Sequence, residues 1–181
     1  MDDPADRYRV RLARADEVAR LPAIERAAAE LFRGRDVGTF SLDDVLDAAT
    51  HAAAQREGRL FVADLAGEPV GFALASHIGG EPHLRELDVL PAHGRRGLGA
   101  RLVRAVIEWA RAQGAPSLTL STFRDVAWNA PFYAKLGFRA LGEAELDAAH
   151  RALLDREEAM GLPRQRRVVM RLTLARVRPP A

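Results

Sequence analysis

Leu84-Arg85-Glu86-Leu87-Asp88-Val89-Leu90-Pro91-Ala92-His93-Gly94-Arg95-Arg96-Gly97-Leu98-Gly99 is the stretch on which the architecture turns. From His83 to Leu90 it reads as a strand, and Pro91 stops it. Three glycines then make a turn, after which Leu98, Leu102, Val106 and Trp109 recur at helical spacing until Gly114. A strand, a loop and a helix follow one another without a break.

A glycine-rich turn between strand and helix points main-chain N–H groups at one spot, where the helix start adds about half a positive charge. Gly97 and Gly99 leave no side chain between backbone and ligand, while Arg95 and Arg96 carry planar forks that suit phosphate oxygens. Alone, the loop reads either as an anion site or as a turn that lets a helix begin close to a strand. It is neither of two familiar phosphate loops: no G-x-x-x-x-G-K-S/T occurs, and Gly94, Gly97 and Gly99 do not spell G-x-G-x-x-G.

Outward from this unit, Tyr8–Leu12 alternates as a short strand. Ala15–Phe32 carries Val18, Leu21, Ile24, Ala28 and Leu31 at helical spacing and ends at Gly34. Ser41 followed by Asp44 resembles a cap for a second helix through Val45, Leu46, Ala49 and Ala53, closed by Gly58. Arg59–Leu65 and Pro69–Ile78 form a hairpin around Ala66-Gly67-Glu68. Beyond Gly114 come a strand at Ser117–Thr122, a short helix at Trp128–Lys135 stopped by Gly137, and a strand at Phe138–Leu141. A helix over Glu145–Met160 and a last strand over Arg167–Leu174 follow, and Pro179-Pro180 ends the sequence. No repeat or low-complexity linker interrupts the order, which predicts one α+β domain over 1–181.

The bulk properties narrow the chemistry. At 181 residues, 48% of them hydrophobic, the chain suits a single core. It has no cysteine, which excludes disulfides, thiolate metal sites and a cysteine nucleophile. The reading therefore carries no metal. A pI near 9.6 suggests nucleic acid, but the net charge is only +2 and the arginines alternate with acids, so no nucleic-acid partner is expected. The acidic start Met1–Asp6 is unlike a secretory leader, and no apolar run of about 18 residues occurs. A cytoplasmic location without membrane attachment is the expectation.

A second motif stands downstream: Trp128-Asn129-Ala130-Pro131-Phe132-Tyr133-Ala134-Lys135-Leu136-Gly137-Phe138. With the glycine loop it resembles the GNAT superfamily of acyl-CoA-dependent N-acyltransferases, whose signatures are Q/R-x-x-G-x-G/A and a later F-Y-x-x-x-G-F. Gly97 and Gly99 agree with the first signature, and Gly94 stands where Gln or Arg is usual. The two motifs and what lies between them cover Leu84 to Phe138.

The resemblance implies a central, mostly antiparallel mixed sheet of about seven strands, flanked by helices on both faces and splayed between the fourth and fifth strands. It implies acetyl-CoA as co-substrate. Its pyrophosphate would lie on Arg95, Arg96, Gly97, Leu98, Gly99 and Ala100, and its pantetheine arm would pair with backbone groups of Leu87, Asp88, Val89 and Leu90. Tyr133 would protonate or hydrogen-bond the leaving thiolate. A phenol near pKa 10 giving its proton to a thiolate near 8.5 works uphill by about 2 kcal/mol, so a strong hydrogen bond is the larger contribution. The family's Asn before this tyrosine is replaced by Val126 and Ala127. Asn129, which is nearer, either caps the short helix or reaches the cofactor.

An alkyl ammonium near pKa 10.4 must lose a proton before it attacks a thioester. By the resemblance Glu86 is the base or the ammonium anchor, with Asp88 second on the same strand face. The plainer reading of Glu86 is a solvated strand acid paired with Arg85. His83 and His93 read as surface residues, and Ser121 and Asp125 as candidates to line the acceptor pocket. No nucleophile elbow is present, which favours direct attack in a ternary complex.

The acceptor expected is a primary amine of a small molecule. A protein or peptide amine is the alternative within the enzyme class, and a non-catalytic acyl-CoA sensor the alternative outside it. Dimerisation, common among relatives, would run through the last strand and the Glu145–Met160 helix.

Overall fold

The computed structural model describes residues 7–35 and 37–174. The acidic start Met1–Asp6 and Pro179-Pro180 lie outside the described residues. Seven strands hydrogen-bond in the order β1-β2-β3-β4-β5-β7-β6 and helices flank them: β1 Tyr8–Leu12, β2 Leu60–Leu65, β3 Glu68–Ile78, β4 Glu81–Val89, β5 Ser117–Phe123, β6 Arg139–Ala140 and β7 Arg167–Thr173. The helices are α1 Leu21–Ala29, α2 Ala48–Arg56, α3 Leu98–Ala112, α4 Ala130–Lys135 and α5 Ala148–Ala159. Pairing is antiparallel for β1/β2, β2/β3, β5/β7 and β6/β7, and parallel for β4/β5. This is the mixed sheet that the sequence predicts.

The chain divides into two compact units. One takes the chain up to Gly34, Leu42–Ser76 and Arg85–Glu108; the other takes the segment ending at Ser41, His77–Leu84 and Trp109 onward.

In the first unit, a two-residue turn sets the register of β2 against β3. Ala66 and Gly67 both have positive φ, 53° and 89°, the pairing whose twist matches a tight hairpin. The core gathers Leu21 and Ile24 of α1, Ala54 of α2, Leu60 and Val62 of β2, and Phe72 and Leu74 of β3. Each of these side chains larger than Ala54 contributes roughly 1.5–3 kcal/mol on burial. Gly71 stands where β3 meets β4 closely: a Cβ there would lie 2.7 Å from the Asp88 carbonyl.

In the first unit, two helical segments differ from the sequence expectation. The Ala15–Phe32 segment is 3₁₀ at Ala15–Arg20, α-helical at Leu21–Ala29 and 3₁₀ again at Glu30–Phe32. Pro22 lacks the N–H that a continuous helix requires, and it sits instead in the first turn of α1. For α2 the cap is Asp47, which accepts the Thr50 N–H at 2.6 Å, rather than Ser41.

In the second unit, α5 is capped by Asp147, which accepts the His150 N–H at 2.9 Å. The expected helix start at Glu145 is a 3₁₀ turn over Glu143–Glu145. Leu141, Leu146, Leu154 and Val169 form a small core around it. Two loops interlock at glycines: a Cβ on Gly38 would stand 2.3 Å from the Gly161 carbonyl oxygen, and one on Gly161 2.8 Å from the Phe40 nitrogen. The Thr39 N–H donates to that same carbonyl at 2.9 Å.

The β4/β5 ladder joins His83 to Thr119 and Leu84 to Leu120. It includes no residue of β4 after Leu84, although β4 runs on to Val89 and β5 to Phe123.

Candidate active site

The strand that carries Glu86 and Asp88 runs on from the His83/Leu84 ladder to Val89. Leu87, Asp88, Val89 and Leu90 are all half-buried. The Leu90 N–H is already engaged, donating to the Val70 carbonyl at 2.9 Å.

The loop that follows is built to present donors. After a 3₁₀ turn at Pro91–His93, Arg95 adopts φ 56° and Gly97 φ 75°. A non-glycine residue in the left-handed region costs about 1–2 kcal/mol, and alternation of left- and right-handed residues turns successive N–H groups toward one point. Among the described residues, the N–H groups of Arg95, Arg96, Gly97, Leu98, Gly99 and Ala100 make no hydrogen bond. Those of Leu98, Gly99 and Ala100 open α3, where the helix leaves them orphaned. Gly94 lies at φ −63°, ψ 163°, a conformation open to any residue, so its departure from the family signature leaves the turn intact. His93 is tied back to β1, its Nδ1 2.9 Å from the Tyr8 hydroxyl.

Glu86 and Asp88 share one face of β4, and a third acid joins them. The Oδ2 atom of Asp88 is buried without a hydrogen-bond partner. Burial, then Glu86, then Glu25 hold the Asp88 carboxyl well above the ordinary aspartate range. Glu25 of α1 is itself buried, and burial raises its proton affinity against the opposing pull of the Leu46 N–H, Arg26 and Arg85. Its two oxygens accept the Leu46 N–H at 3.0 and 3.1 Å.

In the second unit, Tyr133 lies on α4, half-buried, with edge contacts to Phe132 at 5.0 Å and Phe138 at 5.9 Å. Asn129 precedes that helix and does not cap it through its side chain. Instead its Nδ2 donates to Thr122 Oγ1 at 2.7 Å, and its Oδ1 is buried without a partner. Its main-chain carbonyl accepts from Phe132 and Tyr133. Ser121 Oγ donates to Glu157 Oε2 at 2.8 Å, and Arg167 grips Glu157 with two nitrogens at 2.8 and 2.9 Å. Asp125 accepts from Arg166.

One assignment is corrected. His83 is 4% exposed, with Nδ1 2.9 Å from Thr119 Oγ1 across the β4/β5 ladder, so it is a core residue and not a surface one. Glu25 and the Ser121/Glu157 pair carry no local signature, because their partners lie 21 and 36 positions away in sequence.

Among solved structures, the fold matches N-acetylglutamate synthase from Neisseria gonorrhoeae, complexed with coenzyme A and N-acetyl-glutamate, at TM-score 0.71 and 17% identity; 93% of this chain aligns with 35% of that one. The chain thus spans about a third of that protein. The ribosomal-protein-S18-alanine N-acetyltransferase from Escherichia coli matches at TM-score 0.64 and 17% identity, over 96% of this chain and 98% of its own. A GNAT-family acetyltransferase from Brucella melitensis, in complex with acetyl-CoA, matches at TM-score 0.55 and 25% identity, over 74% and 83%. The model of the Acetyltransferase (GNAT) family matches residues 27–138, which include β4, the donor loop and Tyr133. The chain belongs to the GNAT acetyltransferase family.

Proposed function

We propose that the chain transfers the acetyl group of acetyl-CoA to a primary amine of a small molecule by direct attack. The observation that carries the reading is the row of open N–H groups from Arg95 to Ala100 at the start of α3. Six donors without acceptors suit the doubly charged pyrophosphate of coenzyme A. The exposed Arg95 and Arg96 add charge there. An extended pantetheine arm would pair with backbone groups of Leu87, Asp88, Val89 and Leu90, as an added strand does. The Brucella melitensis relative, solved with acetyl-CoA, supports the choice of donor.

Acetyl-CoA supplies a thioester carbonyl. The acceptor ammonium first gives a proton to Glu86, directly or through water. The freed amine nitrogen forms a bond to the carbonyl carbon, the carbon–sulfur bond breaks, and the electron pair leaves on sulfur as thiolate. Tyr133 hydrogen-bonds that thiolate and delivers the proton it finally takes up. The surplus proton on the amide nitrogen passes to solvent, from which Tyr133 recovers the proton it gave up.

The test mixes purified chain and acetyl-CoA with a panel of small amines and of peptides bearing free N-termini or lysines, and follows release of free thiol. Small amines as the better acceptors support the reading. Release with peptides alone assigns the acceptor to the protein class, and tight acetyl-CoA binding without release in any arm identifies a sensor.

A further inference from the structure

Beside the turn between β2 and β3, in the first unit, Arg7, Arg9, Arg11 and Arg14 line one cleft of about 410 Å³. That is the size of a small-ligand pocket. The cleft takes no residue from the donor loop or from β4. Two buried acids, Glu17 and Asp64, compensate half of its arginines. Arg11 donates through Nε to Asp64 Oδ2 at 2.7 Å, and through its two terminal nitrogens to Glu17 at 2.9 and 2.6 Å. Arg14 reaches the same Glu17 at 2.8 Å and also pairs with the exposed Asp16.

The other two arginines are left over by construction. The β1/β2 register sets Arg9 across from Asp64, yet that carboxylate is already engaged at both oxygens, by Arg11 and by the Gly67 N–H at 3.1 Å. Among the described residues, neither Arg7 nor Arg9 makes a hydrogen bond or an ion pair, and both are exposed. Arg11 and Arg14 balance Glu17 and Asp64, so Arg7 and Arg9 bring two uncompensated charges to the cleft. Two residues of extended chain separate them by about 7 Å, a spacing at which two planar forks can close on one tetrahedral oxyanion. Leu65 and Ala66 line the same cleft and give it an apolar wall. A peptide adding to β1 as a strand fits less well, because the Tyr8 and Leu12 carbonyls already accept from Arg101 and Arg11.

We propose that Arg7 and Arg9 form an oxyanion subsite for a phosphate monoester whose organic body lies on Leu65 and Ala66. The doubly charged phosphoryl group offsets the two surplus guanidinium charges. Arg11 and Arg14, pinned by Glu17 and Asp64, hold the remaining wall in place. This site is additional to the one for acetyl-CoA and stands whether or not the chain transfers acetyl groups.

The test titrates the full chain by calorimetry with phenyl phosphate, inorganic phosphate and phenol, with coenzyme A present in excess to fill the donor loop. Phenyl phosphate is expected to bind at one per chain, more tightly than inorganic phosphate, and phenol not measurably. The double variant Arg7→Gln/Arg9→Gln should weaken phenyl phosphate on the order of ten- to a hundredfold. Arg56→Gln/Arg104→Gln removes the same charge from exposed positions outside the cleft and should leave the affinity unchanged. Thermal melting confirms that both variants fold. Absence of saturable binding to the wild type, wild-type affinity in the Arg7/Arg9 variant, or an equal loss in the Arg56/Arg104 variant overturns the subsite.

Discussion

Asn129 is held by Thr122: its side-chain amide donates to the threonine Oγ1 at 2.7 Å, while its main-chain carbonyl accepts from Tyr133. The residue that shapes the start of the tyrosine's helix is thus anchored to the end of β5. Thr122→Val removes the acceptor at equal volume and leaves a part-buried amide without a partner, at a cost of about 1–3 kcal/mol. Urea denaturation should show that loss. Asn129→Ala should in addition weaken acetyl-CoA binding, because Oδ1 is a buried acceptor that a bound donor group can satisfy.

Tyr133→Phe removes one hydroxyl and keeps the ring contacts with Phe132 and Phe138. Turnover should fall on the order of a hundredfold with little change in acetyl-CoA affinity. Thiol-release kinetics alongside equilibrium binding measure both, and full turnover in the variant would remove the tyrosine from the mechanism.

Gly97 lies at φ 75°, and a Cβ added there would meet nothing within 4 Å, so Gly97→Ala brings backbone strain and no clash. That strain is about 1 kcal/mol. The expected result is a several-fold rise in KM for acetyl-CoA with the thermal midpoint only slightly lowered. Arg95→Gly should raise the midpoint by relieving φ 56° and still weaken acetyl-CoA binding through the lost charge. A salt titration separates the two effects.

Asp88 and Glu25 give stability a pH dependence opposite to that of most acids. Burial and neighbouring acids raise the proton affinity of Asp88 in the fold. A carboxyl raised in this way contributes stability that is complete below its unfolded value near 3.9 and is lost as pH climbs through the raised folded value. Asp88→Asn mimics the protonated form at all pH values. It should therefore stabilise the free chain in alkaline buffer and make little difference in acid, which melting curves across pH will report.

Gly161→Ala places a methyl 2.8 Å from the Phe40 nitrogen at φ 89°. Clash and strain together should lower stability by about 2 kcal/mol or more. Chemical denaturation measures the loss.

What is legible in the sequence is what is local. The turn at Ala66-Gly67, the strand that stops at Pro91, the helix from Leu98 and the tyrosine motif each sit within one short window, where periodicity and turn chemistry act directly. The cap of α2 escapes such a reading because Ser41 and Asp47 are both good caps, and which one is used depends on how the intervening chain is held by Glu25. Ala15–Phe32 has one helical stripe, but Pro22 divides the backbone that carries it. His83 reads as a strand-edge residue, since its partner Thr119 is 36 positions away. The approach of Glu25 to His51 and to the Leu46 N–H is hidden for the same reason: separate segments supply the groups, and no spacing rule links them.

The interlock of Gly38 with Gly161 makes variation in this region a two-locus problem. A side chain gained on one loop meets the main chain of the other, so neither loop can be lengthened or refilled alone. Inheritable change there must come as matched pairs, and directed libraries that randomise residues 37–41 and 159–163 together should yield folded variants where single-loop libraries yield few.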